Sequence, residues 1–418
     1  MIPNDKYGTC TKILCIVNGI VNCIAVGVSF IMVGIFTQVM ANDLNCKEGF
    51  VSFFGGISIG LVCGSGPVAT PLVRQLGMRV LGSLSGLLSF SALLMLSISR
   101  SKLVFGIAIC VHGFCIGTLF STMFVVAVHV FPIRFSQVNA AFLVSSALGT
   151  AAAPLLQALI DTYGWRGALA ILAGMHLHIT VASMMMNSQV GRVKSLTSRT
   201  DYEEPAGNTS VKKSTSTFDR ILEILHLDVF KSNSLLLALF LSGICAGIGN
   251  ATFFLSIVPH AEQSGIAPFI ASTLEIPQVF TCLIVRASLI FVHGADVALV
   301  IYIFAAAQFA EFLAFFVLTV WNTVTMFCVG SALHGFAMGS QWYSIASLPA
   351  LLVTRKEYLD YSISWCLASE GIAAIITAFI DLCVTEYSLS FQICFCVQFF
   401  AIALVVYMIF RLRTPRSI

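Results

Sequence analysis

The sequence predicts an all-α membrane protein, twelve transmembrane helices in two six-helix bundles, and three observations carry that expectation. Hydrophobic side chains make up 58% of the 418 residues and charged ones only 10%, with a mean hydropathy of +0.95, far from the composition of a soluble domain. The apolar stretches are continuous runs of about 20 residues, the helix length that crosses a hydrocarbon core of ~30 Å, instead of the alternating pattern of a membrane β-barrel. The second half of the chain also echoes the first at a fixed offset. A chain this apolar has too little polar surface to face water, which excludes soluble enzymes and nucleic-acid binders.

Residues 13–40 form the first run. It is long enough to span and no small-residue cleavage site follows it, so it is expected to stay as a helix behind a short segment, residues 1–12. Runs two to six follow at 50–73, 80–99, 103–131, 137–160 and 167–188. Charged or turn-forming residues separate them: Asp43 to Glu48, Arg74 to Arg79 around Gly77, Arg100 to Lys102, Pro132 to Arg134, and Asp161 to Arg166 around Gly164. Residues 189–234, rich in Ser, Thr, Lys and Glu, are the one long hydrophilic stretch, and their composition predicts a linker disordered in its middle. Six more runs occupy 235–258, 266–292, 297–320, 324–353, 359–382 and 389–410. The chain therefore divides into residues 1–12, an N-terminal bundle at 13–188, a linker at 189–234, a C-terminal bundle at 235–410 and a tail at 411–418.

Basic residues orient the bundles, because Lys and Arg near span ends are retained on the cytoplasmic side. With both termini inside, 17 of the 22 fall in cytoplasmic segments, against Lys47, Arg100, Lys102 and Arg166 outside and Arg286 within a span. Arg100 and Lys102, together in one short outer turn, run against the rule. Asn208-Thr209-Ser210 is then a glycosylation sequon on the cytoplasmic side, expected to be unused. The 14 cysteines are scattered through apolar runs without metal-ligating spacing and read as small hydrophobes. Only Cys46 and Cys383 fall in or near outer segments, where a bridge between them is the weaker expectation against two free thiols.

An internal repeat joins the halves. His112-Gly113-Phe114-Cys115-Ile116-Gly117-Thr118 in the fourth run matches His334-Gly335-Phe336-Ala337-Met338-Gly339-Ser340 in the tenth at an offset of 222 residues. The same offset maps Arg134 onto Lys356 and Gly149 onto Gly371 without a gap. A duplication that maps one span onto another in parallel orientation marks a two-half transporter, its halves related by an axis along the membrane normal. Gly113 with Gly117, and Gly335 with Gly339, are small-xxx-small pairs, expected first of all to let helices approach closely.

On this layout the chain resembles the major facilitator superfamily and, within it, the monocarboxylate transporter family. The best stretch begins at Phe131, with Arg134, Asn139, Gly149, Thr150, Pro154 and Tyr163-Gly164-Trp165-Arg166-Gly167 where the family pattern has them. The segment Ser369-Glu370-Gly371-Ile372-Ala373-Ala374 is a looser match. The resemblance implies transport of small organic acids, often with a proton, through a central cavity that opens alternately to either side. For some members it also implies a single-span accessory glycoprotein as partner, of which no residue here is a marker. The departures fall on the chemistry. The family's opening acidic-Gly-Gly-Trp-Gly-Trp motif is reduced to Asp5, Tyr7 and Gly8, and the first-helix lysine of proton-coupled members aligns with uncharged residues around Ile31. The Asp and Arg of the eighth helix align with Gln278 and Cys282, and in the loop from Gly66 to Arg79 the superfamily's acidic residue is replaced by Arg74.

An ionisable group inside a spanning helix costs roughly 2.5 to 3.5 kcal/mol on insertion scales, so Glu275, Arg286, Glu311 and Glu370 each ask for a reason. Glu275 and Arg286 are eleven residues apart, about 20° around a helix and ~16 Å along it, so they share a face without touching. Pro277 is expected to loosen the helix beside them. Placement and resemblance make Arg286, Gln278, Asn22 and Glu370 the candidate substrate-binding residues, with Arg286 attracting an anionic group. Glu275, His112 and His334 are the candidate proton-coupling residues, the two histidines occupying equivalent places in the halves. Blander readings compete: Arg286 snorkels to the cytoplasm, Glu275 is a protonated carboxyl bonded to a neighbouring helix, and each histidine is simply hydrogen-bonded in place. Glu311 is expected to be structural, on a peripheral helix. His176 and His178 point about 200° apart on a helix and cannot form a metal pair. No cofactor, metal site or catalytic dyad is expected. The expected function is that of a multi-pass plasma-membrane transporter moving a small organic solute, a monocarboxylate by resemblance, through alternating access, as a symporter if a proton accompanies it. The rivals are an uncoupled facilitator of an aromatic amino acid or other larger solute, and a transport-dead receptor or assembly partner.

Overall fold

Lipid offers a backbone N–H or C=O no water to bond, so a chain this apolar must satisfy its backbone within its own helices. The computed structural model describes residues 7–192, 226–267, 270–271, 273–292, 294–353, 355–383 and 387–413, and the regular structure among them is helical throughout. The disorder expected in the middle of the linker and the Asn208 sequon fall outside the described residues. The first half contains α1 (Thr9–Asp43), α2 (Glu48–Gly64), α3 (Gly66–Leu76), α4 (Met78–Ile98), α5 (Lys102–Val130), α6 (Phe135–Thr150) and α7 (Ala153–Met184). A short α8 (Val229–Ser232) precedes α9 (Ser234–Gln263), α10 (Glu275–Leu289), α11 (Val297–Val320), α12 (Val324–Leu352), α13 (Lys356–Cys383) and α14 (Tyr387–Arg413).

Local chemistry sets several of these ends. Asn233 caps α9 by accepting from the N–H groups of Leu235 and Leu236, Asp296 caps α11 through Leu299, and Thr323 caps α12 through Met326. Pro67 and Pro154 lie in the first turns of α3 and α7, where no intrahelical bond is lost. Pro277 obeys the same rule and corrects an expectation. Because α10 begins at Glu275, the proline sits in its first turn instead of loosening a mid-span helix, and Glu275 stands at a helix N-terminus.

Among the described residues eight helical segments are long and apolar enough to cross a bilayer, nine if α2 and α3, which meet at 48°, act together. One of them, residues 135–184, is two antiparallel pieces. Phe142 and Gly149 approach Gly19 and Gly27 of α1 in ascending order, whereas beyond Gly164 the order reverses, with Arg166 against Asp43 and Ser183 against Asn18. Gly164 (φ +68, ψ 166) makes that reversal, and Gly77 (φ +79, ψ 161) makes the one between α3 and α4, in a backbone region essentially reserved for glycine. The expected twelve spans thus rest on these segments together with α10, which is short at 15 residues, and α12, which is long enough at 29 but polar.

The Tyr163 to Gly167 motif has a packing reason. Arg166 pairs with Asp43 at 2.6 Å, donates to the carbonyls of Ser97 (2.9 Å) and Ser99 (2.6 Å) at the end of α4, and stacks on Trp165. Lys102, one of the two anomalous outer cations, similarly donates to the Asn45 carbonyl just past the C-terminus of α1 at 2.9 Å. Cys46 and Cys383 are both free.

The repeat is visible as packing. Gly113 and Gly117 of α5 lie against the α2 backbone at Ser58, Leu61 and Val62, while Gly335 and Gly339 of α12 lie against α10 at Gln278 and Cys282. The two bundles meet along two seams, α2 and α3 with α13, and α6 with α10 and α12. On the side that carries both chain ends one apolar core draws on both halves, joining Phe120, Phe124 and Phe142 to Tyr343, Ile345 and Ile363. On the opposite side the core divides: Phe36, Phe105 and Leu169 belong to one half, Phe253, Phe315 and Phe391 to the other. Leu84, Leu87 and Leu88 of α4 and Phe399 and Phe400 of α14 stay exposed, an outer surface suited to lipid.

Replacing Gly164 by Ala is expected to cost about 1–3 kcal/mol, seen as a lower Tm of the purified protein. Gly174→Ala is the control, since an added Cβ there meets nothing within 4 Å, and it should be neutral or stabilising by up to ~1 kcal/mol. Indistinguishable melting of the two variants would contradict the backbone argument.

Candidate functional site

Helices α1, α5, α6, α9, α10 and α12 converge on one small cavity between the bundles. Its walls are largely aromatic, formed by Phe30, Phe120, Phe254 and Trp342, with Gln278, Arg286 and the hydroxyls of Ser146 and Thr150 as polar members. Phe120 meets the Trp342 ring edge-on at 5.6 Å, and Phe30 lies 6.4 Å from it. About 10 Å³ is open to the centre of a water-sized sphere, room for roughly one water molecule. The bundles are closed around it.

Arg286 is 2% exposed. Its Nη1 donates to the Leu143 carbonyl of α6 at 2.9 Å, its Nε has no partner, and among the described residues no carboxylate lies within ion-pairing distance. The guanidinium is therefore turned to the cavity wall, not snorkelled to a membrane surface. Gln278 donates to Met338 Sδ at 3.1 Å and keeps Oε1 unpartnered, as is Trp342 Nε1. Two donors and one acceptor thus stand unused on side chains that line an otherwise greasy space.

The remaining sequence-derived candidates lie elsewhere. Glu275, half-buried at the start of α10, is one turn before Gln278 but outside the cavity lining, so the expected shared pathway with Arg286 is not formed in this closed arrangement. Asn22 is buried and donates to the Asn18 carbonyl of its own helix at 2.9 Å, its Oδ1 unpartnered, while it is Asn18 that ties α1 to α7 by donating to Ser183 at 3.3 Å. Glu370 accepts from Asn250 within the C-terminal bundle and does not reach the cavity. His112 is held on both sides, Nε2 at 3.2 Å from Ser29 Oγ and Nδ1 at 2.9 Å from Ser89 Oγ, which also lies 2.9 Å from His176 Nδ1. His178 points away and bonds its own helix at the Met175 carbonyl. His334, equivalent in sequence to His112, is stacked on Phe253 at 4.0 Å with neither ring nitrogen partnered. Glu311 keeps to the interior of the C-terminal bundle, away from the cavity.

Sequence reasoning missed the latch that closes the chain-end side. Asp360 of α13 is buried, its Oδ1 2.6 Å from His129 Nε2 of α5 and its Oδ2 3.6 Å from Arg74 Nε of α3. Nearby, Thr70 and Ser364 hydroxyls are 2.5 Å apart, and Asn139 donates to the Tyr343 carbonyl (3.0 Å) and Ser347 Oγ (2.8 Å). Each of these contacts joins one half to the other. A signal existed: where the superfamily pattern has an acid, the chain has Arg74, and a carboxylate stands opposite it on the facing helix.

Residues 19–310 match the sequence profile of the Major Facilitator Superfamily. The chain is 24% identical to monocarboxylate transporter 2 of Mesocricetus auratus, over 63% of this chain and 57% of that protein. It is also 24% identical to monocarboxylate transporter 1 of Bos taurus, over 79% of this chain and 70% of that one. The match spans less than two thirds of the monocarboxylate transporter 2 sequences of Mesocricetus auratus and Homo sapiens, 57% and 58% of their lengths. In fold it is similar to the crystal structure of the human organic anion transporter MFSD10 (TETRAN), with a TM-score of 0.65 at 13% identity, covering 96% of this chain and 100% of that one.

Asp360→Asn should weaken the latch by about 1–2 kcal/mol, a factor of about 5–30 in the population opened on that side. Cys366, fully buried two residues beyond Ser364, is the reporter: its labelling by a small maleimide, located by mass spectrometry, should quicken accordingly. An unaltered labelling rate would show that the latch does not hold the bundles together.

Proposed function

The chain belongs to the Major Facilitator Superfamily, as a divergent relative of the monocarboxylate transporters, and we propose that it is a twelve-helix plasma-membrane transporter, both termini cytoplasmic, that carries a small organic anion by alternating access. The observation that carries this reading is Arg286. A guanidinium buried without a carboxylate is costly, and a solute carboxylate that forks onto it supplies the missing charge and the missing acceptor at Nε together. Trp342 Nε1 offers a second donor to the same anion, and Gln278 Oε1 an acceptor for a hydroxyl or ammonium group on the solute. The family's helix-eight cation is thus recovered one turn further along α10, at Arg286 instead of Cys282. Asn22, bonded within its own helix, and Glu370, bonded to Asn250, lie outside the lining of the closed cavity.

The cavity is too small for any solute while closed, so entry requires the halves to rock apart about their glycine-lined seams. Four aromatic walls favour a solute with an apolar or flat body. For that reason an aromatic amino acid is the second reading, its carboxylate on the same guanidinium.

Uptake of labelled lactate, pyruvate and an aromatic amino acid into proteoliposomes tests both. Arg286→Ala should lose at least about 2 kcal/mol of anion affinity, roughly 30-fold, and Arg286→Lys should recover little of it because an ammonium cannot present the fork. Absence of flux above empty liposomes for every carboxylate would remove the anion reading.

A further inference from the structure

Two carboxyl groups lie inside the C-terminal bundle and, among the described residues, form no ion pair with a cation. Glu311 of α11 is 0% exposed and Glu370 of α13 4%. Two amides join them. Gln341 of α12 donates through Nε2 to Glu311 Oε2, and Asn250 of α9 donates through Nδ2 to Gln341 Oε1 at 3.4 Å and to Glu370 Oε2 at 3.2 Å. One network therefore crosses four helices. Space for the acids is provided by α9, where a Cβ on Gly249 would meet Glu311 Oε1 and one on Gly247 would meet Glu370 Oε2.

The network is incomplete in a specific way. Glu311 Oε1, Glu370 Oε1 and Asn250 Oδ1 are buried without partners, as are both polar atoms of Gln308, one turn before Glu311. The titratable neighbours on the surrounding helices are thiols and one imidazole: Cys245 of α9 and Cys394 of α14 near Glu311, Cys63 of α2 near Glu370, and His334 of α12, which is stacked on Phe253 and 6.1 Å from the Phe315 ring of α11. None supplies a compensating positive charge by an ion pair. Two ionised carboxylates sharing one amide chain in a low-dielectric interior repel each other and lack the solvation that water gave them.

We propose that Glu370, Asn250, Gln341 and Glu311 form a proton-binding site in the C-terminal bundle, loaded and unloaded as the bundles rock. The proton is held as a neutral carboxyl on an unpartnered oxygen. The route to water is Glu370, because the next residue, Gly371, packs directly on Gly60 and Gly64 of α2 in the inter-bundle seam. Parting of that seam exposes Glu370 to solvent, which takes its proton. Its closure returns the carboxyl to a dry interior. This site supplants Glu275, which stands at a helix start, and His112, which is saturated by hydroxyls in the other half. It rests on the reading of the chain as an anion transporter, and an anion accompanied by one proton crosses without net charge.

The full-length protein in proteoliposomes separates the two ideas. Solute exchange at equal pH on both sides needs no net proton movement, whereas net uptake under an inward proton gradient does. Glu370→Gln and Glu311→Gln are expected to keep exchange near the wild-type rate and lose the stimulation by the gradient. Infrared difference spectra of the purified protein between acidic and alkaline buffer should show a protonated-carboxyl band that both variants lack. Gradient stimulation and that band both persisting in the two variants overturn the proton site while leaving the solute reading intact. Absence of exchange by the wild type overturns the solute reading, and the infrared band then decides the proton site alone, its loss in the variants supporting it and its persistence refuting it.

Discussion

The arrangement of the cavity depends on how the two bundles are held together on the side of the chain ends. The buried Asp360 carboxylate of one half is caught between His129 and Arg74 of the other. Around it the apolar core is common to both halves. The polar latch alone is worth little where Arg74 and His129 are part-exposed. Its weight comes from lying at the rim of a dry, shared interior, where a carboxylate left without a partner has nowhere to turn.

Charges inside the membrane are sorted by that same accounting of partners. Asp360 has a guanidinium and an imidazole across the seam. Arg286 has a backbone carbonyl and, among the described residues, no anion, at a cavity where Gln278 Oε1 and Trp342 Nε1 are also unpartnered. Glu311 and Glu370 have amides and no cation. Positive and negative groups without partners are thereby segregated into different places, the cation between the bundles and the acids within one of them.

Much of the fold is legible in the sequence because its signals are local or periodic. Run length locates the helices, and the 222-residue echo locates the glycines that let α5 approach α2 and α12 approach α10. Arg286 and Gln278, nominated by intramembrane placement and by the resemblance, do line the cavity. What could not be read is what depends on the partner helix. Glu275 shares the face of Arg286 by arithmetic, but α10 starts only there, since Pro277 is cheapest in a first turn, and the carboxyl ends beyond the cavity. Asn22 and Glu370 are polar and deep, which is equally true of a ligand contact and of a helix tie. His112 and His334 share a His-Gly-Phe-x-x-Gly context, yet one is bonded by two serines and the other lies against phenylalanine, because the helices facing them in the two halves carry different residues. Asp360 pairs with residues 231 and 286 positions away, a relation that no local pattern encodes.

The division of the apolar core, single at one end and double at the other, makes the energy landscape of rocking lopsided. Parting the far end leaves each half with its own interior intact. Parting the near end strips phenylalanines common to both and wets them. Opening at the far end therefore exposes less shared apolar surface than opening at the near end.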